Sequence, residues 1–167
     1  RGAFSRGDHN PKHSFRLLFK SGYGPGELDY PVFGDEGVER FDNLDLRTAQ
    51  NYAWSNTSSN PGERNTFLRD VYSRDLQREM GRPYTRSRYY HLYLNGQYWG
   101  LYQSQERSEA SYAESYFGGF AEYYDVIKTD SYATSYTDGS LAEWNALWTL
   151  CEQGFATDTN YYAVQGK

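Results

Sequence analysis

Cysteine is almost absent from this 167-residue chain, and so is any excess of basic side chains. The single thiol, Cys151, cannot close an internal disulfide, so no covalent framework holds the fold. Its absence leaves the compartment open. With 17 Lys and Arg against 22 Asp and Glu the formal net charge is −5, and the isoelectric point is near 5.2. That field repels polyanions and excludes a domain held to nucleic acid by overall charge. No apolar run approaches the roughly 20 residues that span a bilayer as a helix, so no membrane span is expected in this segment. One Cys and three dispersed histidines, His9, His13 and His91, argue against a zinc site. Walker A, GxSxG, HExxH and CxxC patterns are missing too, which removes P-loop, α/β-hydrolase, zincin and thiol-redox chemistry. The chain opens on Arg1-Gly2 and stops at Gly166-Lys167, and it reads as a piece of a longer domain.

What the sequence has in abundance is rings. Four Trp, 18 Tyr and nine Phe make up 19% of the residues despite a mean hydropathy of −0.91. Disordered chains are depleted in aromatics, so this one is expected to fold. Its core and grooves then lean on rings with polar tips, which serve both packing and stacking on a flat ligand.

Periodicity supplies the elements. Residues 14–20 alternate, with Phe15, Leu17 and Phe19 on one side, and predict a half-buried strand. Residues 22–37 read as turns with at most a short strand at 30–33, a further strand is expected at 41–47, and 55–65 reads as an exposed loop. Residues 66–80 predict a helix opened by Asn65 or Thr66 and closed by Gly81. Its apolar Phe67, Leu68, Val71, Tyr72, Leu76 and Met80 cover an arc expected to be buried, which contains Asp75 and Glu79. Asp70 and Arg74 fall outside that arc and can pair at i, i+4. Asn95-Gly96 between two β-rich runs demands a type I′ hairpin turn. Simple pairing sets Tyr93 against Tyr98, Leu92 against Trp99, His91 against Gly100 and Tyr90 against Leu101. One face, with Tyr90, Leu92, Leu94, Trp99 and Leu101, is then core. The other presents Tyr89, His91, Tyr93, Tyr98 and Tyr102, with Gly100 a notch where another group can come close. A short helix at 108–117, a strand at 124–128 and a helix at 140–153 follow, the last opened by a capping box at Ser140 and burying Cys151. Strands mixed with single helices around a hairpin define an α+β fold, an antiparallel sheet with packed helices.

For chemistry, the opening stretch stands out. Arg1-Gly2-Ala3-Phe4-Ser5-Arg6-Gly7 offers guanidinium forks and backbone N–H groups suited to phosphate oxygens, and Lys12 adds a point charge. The succession RGAFSR, PKHSFRLLFK, FLRDVYSRDLQREMG, SRYYHLYLNGQYWGLYQSQE and YDVIKTD closely resembles the spore-coat protein H kinase-like (CotH kinase) family over nearly the whole chain. The resemblance implies the N-terminal lobe of an atypical protein kinase that binds ATP with Mg2+ or Mn2+ and phosphorylates Ser or Thr of a protein substrate. It implies a bacterial surface, secreted or spore-coat location. Carried over, Arg1, Ser5, Arg6 and Lys12 are the phosphate-facing loop and lysine, and Asp70, Asp75 or Glu79 is the helix carboxylate that orients the lysine. Tyr102 and Gln105 lie in the hinge segment that meets the adenine. The acidic motifs that hold metal and orient the nucleophile are expected beyond this piece, which alone would then be inactive; Asp125, Asp130 and Asp138 read as turn and strand-end residues. Alternatives from other classes are an extracellular aromatic-rich module binding carbohydrate or protein, and a non-catalytic scaffold.

Overall fold

The structure, a computed structural model, describes residues 4–54 and 64–166. Arg1 and most of the 55–65 loop lie outside the described residues. The chain divides into two compact units, Arg1–Arg107 and Ser108–Lys167. Antiparallel sheets and four helices make the fold α+β, as expected.

The first unit is built on a four-stranded antiparallel sheet. It comprises β1 (Phe15–Leu18), β4 (Asn43–Arg47), β5 (Ser87–Leu94) and β6 (Gln97–Gln105), in the order β1-β4-β6-β5. A two-stranded ribbon of β2 (Leu28–Asp29) and β3 (Arg40–Phe41) precedes β4. Strand alternation sorts the two faces. On one, Leu44 and Leu46 of β4 sit opposite Leu17 and Phe15 of β1. The buried core gathers there as Val32, Phe33, Phe41 and Leu44, with Leu28 and Val38 against it. The stretch 22–37 is largely turns, as read from its Gly, Pro and Asp, with a short strand at Leu28–Asp29 and none at 30–33; its turn drops Val32 and the completely buried Phe33 into the core. Tyr90 Oη donates to the Val32 carbonyl at 2.5 Å and fastens that turn to β5.

The opposite face is polar, and this reverses the expectation for the helix. Asp45, Arg47, Ser87, Gln103 and Gln105 lie on it, and α1 (Arg69–Glu79) covers it. Such a surface attracts the charged side of a helix, not the apolar one. Arg74 Nη1 donates to Ser87 Oγ and Nη2 to Gln105 Oε1, both at 2.8 Å. Asp70 pairs with Arg47 at 2.9 Å and, at i, i+4, with Arg74 at 3.7 Å. Leu68, Tyr72, Leu76 and Met80 are consequently exposed, as is Glu79, while Asp75 is half-buried; both acids pair with Arg78. The helix also starts later than expected. Leu68 is its N-cap, because Phe67 adopts φ +62° and keeps Asn65 and Thr66 out of it.

The hairpin turn is as expected, with Asn95 at φ 51° and Gly96 at φ 80°. Tyr93 faces Tyr98, but beyond that pair the register shifts: Leu92 faces Gly100, His91 faces Leu101 and Tyr90 faces Tyr102. Trp99 is the extra residue of a β-bulge. One inserted residue exchanges the faces of everything that follows it. Tyr102 therefore points to the core side and is completely buried, whereas Trp99 and Leu101, expected in the core, remain partly exposed.

The second unit holds α2 (Ala110–Phe117), the hairpin β7 (Val126–Thr129) and β8 (Thr134–Asp138), α3 (Ala142–Glu152) and α4 (Asp158–Val164). Strand β8 was not anticipated, since its Thr, Ser and Tyr carry no apolar alternation. The three acids here bind backbone. Asp138 accepts from the Ala110 N–H at 3.1 Å, Asp125 from Ser140 at 2.6 Å, and Asp130 from Tyr132 at 2.8 Å and Ala133 at 3.0 Å. Cys151 is half-buried, not buried, on a helix without buried residues.

Candidate functional site

Strand β4 ends at Arg47, opposite Gln103, so β6 continues past it with an open edge. Lys12 occupies that opening. Its carbonyl accepts from Thr48 Oγ1 at 3.0 Å, and Ser14 Oγ accepts from the Thr48 N–H at 3.2 Å, which ties the stretch before β1 to the end of β4. From this anchor the Lys12 side chain crosses to β6, where Nζ donates to the Leu101 carbonyl at 2.5 Å. Nζ stands 4.8 Å from the centroid of the Tyr102 ring and 5.8 Å from that of Phe67. Two aromatic faces and a carbonyl stabilise an ammonium there. Burial holds its pKa below the ordinary lysine range.

Gly100 makes the crossing possible. A Cβ at that position would lie 3.3 Å from both Cε and Nζ of Lys12, and φ of +131° suits glycine. The notch expected from sequence is therefore real, and the group that approaches it is Lys12. Tyr102 closes the seat from below, donating from Oη to the His13 carbonyl at 3.1 Å.

Lys12 lines a cleft of about 450 Å³ together with Ala53, Trp54, Phe67, Leu68, Tyr89 and Leu101. The volume is in the range of small-molecule sites, roughly 300–1,000 Å³, which are mostly apolar with a few polar groups. Tyr89 and Phe67 pack edge to face in its wall with ring centroids 5.4 Å apart, and Tyr89 Oη donates to the Phe67 carbonyl at 2.6 Å. Trp54 Nε1 donates to the Asn65 carbonyl. Backbone strain collects around this cleft. Of the four non-glycine residues with positive φ among the described residues, Asn95 forms the hairpin turn, Phe67 lines the cleft, and Ala49 and Gln50 follow directly on Thr48, which also lines it. Such conformations cost of order 1–3 kcal/mol each and persist where the surroundings impose them.

The residues singled out from sequence are distributed unevenly. Lys12 and Tyr102 come together at the cleft. Ser5 and Arg6 lie in a 3-10 turn (Phe4–Arg6), where the Ser5 carbonyl accepts from Asn10 Nδ2 at 3.0 Å. Gln105 is not in a connector after the hairpin but inside β6, accepting from Arg47 at 3.1 Å and Arg74 at 2.8 Å. The carboxylates of α1 engage arginines: Asp70 faces the sheet, while Asp75 and Glu79 turn outward. Among the described residues no group of three or more His, Cys, Asp or Glu is placed to hold a metal ion. Phe67, Trp54 and Leu101 were missed as lining residues; each carried a core or helix signal indistinguishable from packing.

On the hairpin, Tyr93 and Tyr98 stand 5.3 Å apart with planes inclined at 56°, and His91 meets Tyr98 at 45°. These tilted rings offer edges and hydroxyls, not one flat platform.

An α+β unit whose sheet carries an anchored lysine at an apolar cleft has the make-up of a small-molecule site. The model of the family described as CotH kinase protein matches residues 1–162, nearly the whole chain, and the chain belongs to that family. No curated protein and no solved structure matches it.

Proposed function

We propose that the cleft beside Lys12 takes the nucleotide of a kinase reaction, in which the γ-phosphoryl group of ATP passes to a Ser or Thr hydroxyl of a protein. The observation that carries this reading is the seating of Lys12: a cation fixed by a β6 carbonyl and two rings in the lining of an apolar cleft. An apolar slot suits a purine, and a fixed ammonium suits the charge attached to it. Kinase sites also couple a strand cation to a helix carboxylate. Here the α1 carboxylates pair with arginines and not with Lys12; Asp70 meets Arg47 of β4 at 2.9 Å, which sets the helix against the sheet. ATP chemistry in such enzymes uses a divalent metal to neutralise phosphate charge. The described residues do not form a chelating set, so their part is to bind and orient the nucleotide.

Titration calorimetry of the full chain with Mg–ATP tests the reading. Binding in the wild type and a loss of roughly tenfold or more in Lys12→Met are expected, the scale of one charge-assisted contact. Unchanged affinity in Lys12→Met would remove Lys12 from the site.

A further inference from the structure

Beside the apolar cleft lies a second, smaller hollow of about 90 Å³, which shares Thr66 and Phe67 with it. That is room for roughly three waters or one small polar group. Its character is opposite to that of the cleft, for Arg64, Asn65, Arg69, Asp70 and Gln103 line it. We propose that this hollow is an anion site for a phosphoryl group, with Arg64, Arg69, the Gln103 amide and the first turn of α1 as its donors. For the identity of the ligand the inference rests on the nucleotide reading above: the ring system occupies the apolar cleft and the phosphate chain turns into the polar one.

Three independent features converge on an anion. The first is the helix end. Leu68, the N-cap of the eleven-residue α1, supplies no side-chain acceptor, so the first-turn N–H groups and the positive end of the helix dipole are left for a ligand or water. The second is Gln103, which is completely buried and whose Oε1, as placed, has no partner. Its Nε2 lies 3.0 Å from Ser87 Oγ. Ser87 Oγ also accepts from Arg74 Nη1 at 2.8 Å, and an arginine can only donate, so the hydroxyl proton needs an acceptor. The Gln103 amide serves if its oxygen faces Ser87, and a half-turn of the isosteric amide then presents NH2, a buried donor, to the hollow. The third is charge. Neither Arg64 nor Arg69 forms an ion pair among the described residues; Arg69 lies over the Tyr52 ring with Cζ 3.9 Å from its centroid. Asp70 is the one acid in the lining, and its charge is answered by Arg47 and Arg74.

The test compares ATP, adenosine and inorganic tripolyphosphate by calorimetry on the full chain, in the wild type and in R64Q/R69Q. Both arginines are exposed, so the variant should fold, which circular dichroism checks. Expected is unchanged adenosine affinity, with ATP and tripolyphosphate weakened by roughly tenfold or more, the scale of charge-assisted contacts to phosphate. ATP affinity equal in the variant and the wild type would overturn the anion site and leave the nucleotide reading standing. Arginine-dependent binding of tripolyphosphate without any adenosine heat would support the anion site and overturn the nucleotide reading. No binding of either phosphate compound to the wild type would overturn both.

Discussion

Glu36 offers the sharpest test of how the first unit is held together. It sits in the 3-10 turn Gly34–Glu36 beneath the sheet, yet its carboxylate reaches two other elements. Arg78 at the end of α1 donates to it at 3.2 Å, Tyr84 at 3.0 Å and Arg88 of β5 at 2.5 Å. Glu36→Gln removes the charge and turns an NH2 toward one of the guanidinium groups. Hydrogen bonds to charged groups contribute about 1.5–3 kcal/mol each when sheltered, and about 1 kcal/mol or less when exposed. Arg78 and Arg88 are 42% and 45% exposed, which puts these contacts toward the low end and the sum at about 2–3 kcal/mol. Urea unfolding of the full chain, followed by circular dichroism, should lose roughly 0.7–3 M in midpoint at neutral pH, given slopes of about 1–3 kcal/mol per molar. The effect also has a pH signature. Burial pushes the Glu36 pKa up, but hydrogen bonds from Arg88, Tyr84 and Arg78 outweigh it and leave the pKa below the ordinary value. The unfolded chain therefore binds this proton more readily than the folded one. The stabilisation is fully present above the ordinary glutamate pKa and disappears as pH falls through the lower folded value. Wild type and Glu36→Gln should differ at neutral pH and converge in acid. Equal midpoints at neutral pH, or a gap that persists undiminished in acid, would refute the reasoning.

Two further outcomes follow from the same geometry. Gly100→Ala adds a Cβ 3.3 Å from the Lys12 Cε and Nζ at a backbone angle that alanine tolerates poorly, so stability should fall by about 1–2 kcal/mol. ATP affinity should fall with it, and a variant that binds ATP normally would show that the Lys12 seat is dispensable. Glu106→Ala strips a buried carboxylate from Arg86, 3.3 Å away and 11% exposed, and should cost about 3–5 kcal/mol in thermal or urea unfolding. Adding Arg86→Met should restore part of that loss, and an additive double variant would contradict a coupled pair.

The sequence was legible where a local rule acted alone. Asn95-Gly96 had one good conformation, and the strand glycine at position 100 announced a close approach before its visitor, Lys12, was known. Register was not legible, because a lone strand glycine such as Gly100 marks either a close approach or a bulge, and the notch reading alone leaves Tyr102 outside the core. The α1 face was misread for a different reason. An apolar stripe normally points inward, but here the sheet beneath is itself polar, and Asp70 and Arg74 are drawn to it. Lys12 was singled out as a point charge beside the Arg/Gly/Ser loop, and the family resemblance gave it a role; neither showed that its seat lies against Gly100 and Tyr102. Gln103 and Arg69 carried no signal because their roles depend on strand and helix ends that only the tertiary fold brings together.

The bulge at Trp99 has a mechanical meaning as well. It divides the hairpin into a tip, phased by the Asn95-Gly96 turn, and a root, phased by the central sheet. A phase joint of this kind absorbs changes made on one side before they reach the other. The tip, with Tyr93 and Tyr98, is thereby free to vary in shape and in what it touches, while Gly100, Leu101 and Tyr102 go on holding the lysine in the same place.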